Sequence, residues 1–164
     1  MGISAKLGIA AVVVAVAGAA LFSADTINAA MTGEAAIKER KAAMKSISKD
    51  WKVIQAFVKD GKGTAADVEE KATAIAATAK QIPALFPKGS GRGDFSDKET
   101  RAEPKIWSDW AGFENASTVM VTESTKLAEL AKTGDAALIK EQAGQVGKLG
   151  CGGCHKAYRG AKVK

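Results

Sequence analysis

The chain has 164 residues, of which 46% are apolar and only 5% aromatic, and its formal net charge is +6. This length suits one domain with a substantial core, and an alanine-rich, aromatic-poor composition favours helices over sheet. No run of Lys and Arg is as long as a nucleic-acid-binding arm, and aromatic residues do not alternate with basic ones. We therefore interpret the charge as a solvated surface that can steer an acidic partner, and not as a nucleic-acid site.

The first residues have the form of a secretory signal peptide. Lys6 precedes an uncharged apolar run over residues 7–22, and small residues follow that run. This order predicts a signal peptide over residues 1–29 and an exported domain over residues 30–164. The apolar run is somewhat long for a signal peptide, so a retained membrane anchor is the alternative.

A first amphipathic helix is predicted from Glu34 to Asp60. Its apolar residues recur at steps of three, four and seven, which places them on one helix face. Gly61 and Gly63 follow directly and are expected to end the helix. The apolar stripe includes Ile37, Met44, Ile47, Trp51, Ile54 and Val58.

A second helix is predicted to start at Thr64. Thr64 is a natural N-cap, and Asp67 stands three residues later, as in a capping box. Pro83 falls in the last turn and is expected to kink it. The segment that follows, residues 86–104, is rich in Gly and charge, and a loop of that length is either functional or mobile. The stripe of the second helix is Val68, Ala72, Ile75, Ala79, Ile82 and Phe86.

The third helix is expected to begin near Pro104, which suits a first turn. Gly134 and Asp135 then predict a break, with the glycine closing one helix and the aspartate capping the next. The stripe of the third helix is Ile106, Trp110, Phe113, Ser117, Met120, Ser124, Leu127 and Ala131.

The fourth helix is expected to bury Leu138, Val146 and Leu149 and to lead into the last part of the chain. It carries several glycines, which weaken a helix and suggest that something flat and bulky lies close to its backbone. Four helices with two short turns and one long crossover loop predict an all-α fold, an antiparallel four-helix bundle.

The only cysteines and the only histidine of the chain form the sequence Cys151-Gly-Gly-Cys154-His155. This is the C-x-x-C-H spacing of covalent c-type haem attachment, in which two thiols three residues apart share a helix face and the histidine binds the iron. A disulfide would leave His155 unexplained. A thioredoxin-like redox pair expects strands, and a zinc site needs a fourth ligand that the sequence does not offer.

The body of the chain resembles the cytochrome c prime family, including its low-spin relatives of the cytochrome c-556 type. The haem motif is C-terminal, and "TESTKLAELAKTGDAALIKEQAGQVGKLGCGGCHKAYR" is similar to the last two helices of the family. "IWSDWAGFENAS" resembles the start of its third helix, and Arg40 and Met44 match its first-helix spacing of an arginine and a distal residue. The resemblance implies one haem c per chain, bound through two thioethers to Cys151 and Cys154, with His155 as the proximal iron ligand.

The resemblance also implies roles for three further residues. Met44 would face the distal side of the iron, where it would bind the iron or only shield it; the third possibility is an ordinary core residue. Arg40 would hold a haem propionate, and the alternative is a solvated cation. Arg159, four residues after His155, would stand near the proximal face, or would be a surface charge at a helix end.

The expected function is one-electron transfer between periplasmic redox proteins, with His155 and Met44 both bound to the iron. The alternative is a high-spin cytochrome c prime that binds nitric oxide or carbon monoxide at an open sixth site. The sequence shows no acid–base pair or nucleophile, so we do not expect an enzyme. An acidic redox partner is expected, contact with a membrane only if the N-terminal segment is retained, and a homodimer is left open.

Overall fold

The computed structural model describes residues 31–163, so the predicted signal peptide lies outside the described residues. Residues 31–163 contain no strand, and no helix among them is both long and apolar enough to span a bilayer. The helices are α1 (Gly33–Asp60), α2 (Ala65–Gln81), the single turn α3 (Lys105–Ser108), α4 (Trp110–Ala131), α5 (Ala136–Gln145) and α6 (Gly153–Tyr158). A π-helix, Val146–Gly152, joins α5 to α6 without a break.

The chain folds as an antiparallel four-helix bundle, which confirms the predicted all-α fold. Its long helices are α1, α2, α4 and a composite fourth helix made of α5, the π-helix and α6. The most extensive packing joins α4 to α2, and α4 also packs against α5 and the π-helix. Fully buried side chains of the core include Ile54, Val68, Ile75, Phe113, Leu127 and Ile139.

The predicted start of the second helix is confirmed. The Asp67 backbone N–H donates to the Thr64 hydroxyl at 3.1 Å, and the Thr64 N–H donates to the Asp67 carboxylate at 2.7 Å. This reciprocal pair is a capping box, which satisfies two backbone donors that no helical carbonyl can reach. Just before it, Gly61 ends α1 in a left-handed conformation with φ of 63°, which glycine adopts without steric cost.

Pro83 acts differently from the prediction, whereas helical structure does begin directly after Pro104. Pro83 does not kink α2: the α-helix ends at Gln81, and Pro83–Leu85 forms a separate 3₁₀ turn. A proline has no N–H for the helical ladder, and its ring clashes with the carbonyl four residues earlier. Pro104 caps the single turn α3, which Asp109 separates from α4 because its backbone is not helical (φ −128°, ψ 54°).

The buried face of the fourth helix was predicted correctly at Val146 and incorrectly at Leu138 and Leu149. Leu138 and Leu149 are 41% and 43% exposed, whereas Ile139, Ala143 and Val146 are buried. The large leucines suggested one face, but the face that packs on α4 is made partly of small residues. At Gly150 a Cβ atom would collide with the sulfur of Met120 on α4, so glycine lets the two helices approach closely without displacing the Met120 side chain.

We expect Thr64→Ala to lower the free energy of unfolding by about 1 kcal/mol, because the N-cap acceptor is lost. Thr73→Ala is the matched control, since Thr73 is an exposed residue inside α2 whose hydroxyl donates to the Glu69 carbonyl of its own helix. Urea denaturation of the haem-loaded protein measures both. Equal losses in the two variants would contradict a special role for the cap. The hydrogen bonds from Thr64 lower the pKa of Asp67 in the folded protein. The stability that these bonds add is therefore fully present above the pKa of Asp67 in the unfolded chain, and it is lost as the pH falls through the pKa of Asp67 in the folded protein.

Candidate haem site

A cavity of about 810 Å³ opens between α1, the crossover loop and the C-terminal residues. Its volume is within the range of roughly 300–1,000 Å³ that small-molecule and cofactor sites occupy. The structure brings every site residue predicted from the sequence to this one cavity. Those residues are Arg40, Met44, Cys151, Cys154, His155 and Arg159.

The cavity exists because α1 and α6 do not pack together. The first helix packs against α2 and α5, but it makes no extensive contact with α6. Apolar side chains from α3, α4 and the segment after α2 line the base of the space between them. These residues are Ile82, Phe86, Ile106 and Phe113. A flat apolar group can therefore enter between α1 and the C-x-x-C-H segment without displacing the core.

The C-x-x-C-H segment begins in the π-helix and ends in α6. Cys151 lies in the wider π turn, and Cys154 and His155 lie in α6. π-Helical turns inside α-helices are frequent at functional sites. Both cysteines are half-buried free thiols, with no disulfide between them.

Burial keeps these side chains neutral at pH 7. It raises the pKa of Cys151, and it raises the pKa of Cys154 to about 11, with a smaller contribution from the neighbouring Cys151. It also lowers the pKa of His155, as do the positive charges of Arg159 and Arg101. A neutral imidazole is the form that binds a metal ion. His155 therefore has the protonation state that its predicted role as the proximal ligand requires.

The residues present fit a covalently attached haem. Two thiols and an imidazole lie on the wall of a large apolar cavity, which is the donor set that a c-type haem requires. Within residues 31–163, no group of three or more His, Cys, Asp or Glu side chains could hold a bare metal ion. A zinc site is therefore not an alternative for these cysteines.

The family model described as Cytochrome C' matches residues 35–159. This chain belongs to the cytochrome c' family. A cytochrome c' from Rhodopseudomonas palustris is 36% identical over 128 residues, which cover 77% of this chain and 82% of that relative. The predicted resemblance is confirmed, and haem c is the cofactor of this family.

Solved cytochromes c' share the fold. A cytochrome c' described as having an unusual ligand-controlled dimer dissociation superposes with a TM-score of 0.70 at 30% identity, covering 80% of this chain and 98% of that one. A ferrous variant of cytochrome c prime from Alcaligenes xylosoxidans with bound nitric oxide has a TM-score of 0.69 at 26% identity, with the same coverage.

Within this cytochrome c' fold, the two predicted arginines differ in environment. Arg40 is only 5% exposed, and its guanidinium lies 4.8 Å from the centre of the Phe86 ring. Burial lowers the pKa of Arg40 to about 10, which leaves it charged at neutral pH. Arg159 is exposed and ends α6 at the edge of the cavity. Both line the cavity, and their roles toward a propionate and the proximal face stay predictions.

Tyr158 is a site residue that the sequence did not reveal. It is buried on the cavity wall three residues after His155, and its hydroxyl donates to the Asp109 carboxylate at 2.8 Å. Burial, and next this hydrogen bond, raise the pKa of Tyr158 to about 12. The bond ties α6 to the start of α4. The only sequence signal for this role was a lone tyrosine one helical turn after the histidine. Its hydrogen-bond partner, Asp109, is 49 residues away in the chain, so no local pattern links the two.

We expect Tyr158→Phe to lower the free energy of unfolding of the haem-loaded protein by about 1–2 kcal/mol, because a hydrogen bond to a charged acceptor is lost. Asp109→Asn serves as the second arm of a double-mutant cycle measured by denaturant unfolding. The double variant should lose much less free energy of unfolding than the sum of the losses in the two single variants. Full additivity would show that the two side chains do not act as a pair.

Proposed function

We propose that this protein is a monohaem cytochrome c' that binds a diatomic gas, nitric oxide or carbon monoxide, on the distal side of the iron. Cys151 and Cys154 attach the haem through thioethers, and His155 supplies the proximal nitrogen. The haem, when bound, supplies the iron that takes up the gas. The observation that carries the proposal is membership of the cytochrome c' family, together with a solved relative that holds nitric oxide.

The lining of the cavity supports this proposal. Among the residues that line it, His155 is the only histidine and Met44 the only methionine. Ile47, Phe86 and Phe113 make part of the wall apolar, which suits a small uncharged gas. With no second histidine available, the distal side offers no strong protein ligand to compete with the gas.

Met44 is assigned as the distal shield. It is half-buried on the apolar face of α1 and packs against the core while lining the cavity. A flexible thioether fills irregular space well and can move aside for a small ligand. The sequence favoured ligation by Met44 and an electron carrier; the comparisons support the high-spin, gas-binding alternative better. The His/Met carrier remains the second candidate, because the Met44 side chain does line the cavity.

The ferric spin state separates the two candidates. We expect the wild-type ferric protein to be high-spin at neutral pH, since His155 alone binds the iron. Met44→Ala should speed carbon monoxide binding to the ferrous protein without changing the spin state. Met44→Leu, which nearly conserves volume, should behave like wild type. A low-spin wild type with a sulfur-to-iron band in the near infrared, lost in Met44→Leu, would establish the electron carrier instead.

We infer a periplasmic location from the family and the predicted signal peptide, and acidic partners from the charges around the cavity. Family members are generally periplasmic, and the predicted signal peptide agrees with export. Cations outnumber anions around the cavity, where Lys41, Lys98, Arg101 and Lys162 stand with Asp97 and Glu99. No catalytic role is assigned to any of these residues, and we do not propose an enzyme.

Electron delivery by an acidic redox protein should therefore depend on salt. We expect the second-order rate of haem reduction to fall as ionic strength rises, because exposed charges are screened beyond about 8–10 Å at physiological salt. Stopped-flow mixing with an acidic and a neutral reductant, over a series of salt concentrations, measures the effect. A rate with the acidic reductant that is independent of salt would contradict steering by this surface.

The oligomeric state is proposed to be a homodimer in equilibrium with the monomer. The relative with ligand-controlled dimer dissociation motivates this proposal. Sedimentation velocity of the ferrous protein with and without carbon monoxide tests it. A monomer at all concentrations in both states would contradict it.

A further inference from the structure

The crossover loop, residues 86–104, forms one side of the cavity and is anchored to both walls. We propose that Arg40 is a positioning residue, which holds this loop against α1 and so sets the shape of the cavity around the haem. This role goes beyond the propionate contact that the family resemblance implies. It rests on the proposed haem site, but it does not depend on which distal ligand the iron takes.

Arg40 anchors the loop to α1 through both of its terminal nitrogens. Nη1 donates to the Ser90 hydroxyl at 2.9 Å, and Nη2 donates to the Thr100 hydroxyl at 2.6 Å and to the Ser90 carbonyl. Ser90 and Thr100 are themselves buried, at 0% and 3% exposure. One guanidinium therefore joins two separate points of the loop, Ser90 and Thr100, to the same turn of the first helix.

These bonds are needed because the charge of Arg40 is buried. A buried cation is costly unless acceptors compensate for the lost water, and here the loop supplies them. Ser90 extends this hydrogen-bond network along the loop, since its hydroxyl donates to the Pro87 carbonyl at 2.7 Å. The Phe86 ring adds a cation–π contact below the guanidinium. The loop therefore covers a buried cation, and its own oxygen atoms replace the water that the cation has lost.

Arg101, the residue after Thr100, anchors the loop to the opposite wall of the cavity. Arg101 Nε donates to the Gly160 carbonyl at 2.7 Å, and the Gly160 N–H donates to the Arg101 carbonyl at 2.9 Å. Gly160 lies five residues after His155, directly beyond the end of α6. Thr100 and Arg101 are adjacent in the chain, so a single peptide unit connects the α1 wall to the segment that carries the proximal histidine. Movement of the loop at Arg40 would change the separation of the two walls.

The loop role and a direct propionate role predict different results for the same variants. The guanidinium has five N–H groups, and the loop uses three of them, so two remain for a propionate. A lysine at position 40 keeps the charge for a propionate but cannot replace three bonds in fixed directions. Replacing the two hydroxyl acceptors of the loop while keeping Arg40 disturbs the loop and leaves the cation at position 40 in place.

The test compares Arg40→Lys with the double variant Ser90→Ala/Thr100→Val, both as haem-loaded protein. Hydrogen–deuterium exchange of the amides in residues 88–103 reports the loop, and the reduction potential reports the haem. Both variants should speed loop exchange about tenfold or more, since each loses hydrogen bonds between the loop and a charged donor. Both should shift the reduction potential in the same direction.

Ser96→Ala is the matched control, because the Ser96 hydroxyl donates to Glu99 within the loop at 2.6 Å and makes no bond to α1. In the Ser96→Ala variant, the amide hydrogen–deuterium exchange rates of residues 98–103 should stay closer to wild type than in the double variant. Loop exchange in the double variant equal to that of the control would overturn the proposal. So would an Arg40→Lys protein that retains wild-type loop protection while its reduction potential shifts, because Arg40 would then act on the haem directly.

Discussion

The haem-binding segment is fixed to α4 at both of its ends, and the geometry of the site depends on this attachment. Before the motif, Gly150 lies so close to Met120 that a side chain there would have to displace the Met120 thioether. After the motif, Tyr158 donates to Asp109 at the start of α4. Between these points, the two cysteines and the histidine line the cavity beside α1.

That space is bounded by elements from distant parts of the chain. The first helix contributes Met44 and Arg40, the crossover loop contributes Thr100 and Arg101, and the C-terminal residues close the remaining side. Because α1 does not pack closely against α6, an inserted apolar ring would replace a missing helix–helix contact in the core. The cofactor and the bundle are thus expected to stabilise each other, and cytochromes c' of known structure share this fold.

Local signals predicted the fold well, and long-range contacts account for what they missed. The Thr64 capping box, the Asp135 cap and the C-x-x-C-H motif each depend on residues a few positions apart, so their patterns are visible in the sequence. The buried face of the fourth helix was misjudged because its closest contact uses a glycine, which no hydrophobic pattern reveals. The loop partners of Arg40 are 50 and 60 residues away, and no periodicity points to them.

The mass of the exported protein, measured after denaturation and acid–acetone extraction, tests the central claim most directly. If Cys151 and Cys154 hold the haem through thioethers, the mass should equal that of the polypeptide plus one haem, and a Cys151→Ala/Cys154→Ala variant should lose that increment. The bare polypeptide mass, or a mass two hydrogens lower from a Cys151–Cys154 disulfide, would contradict the account.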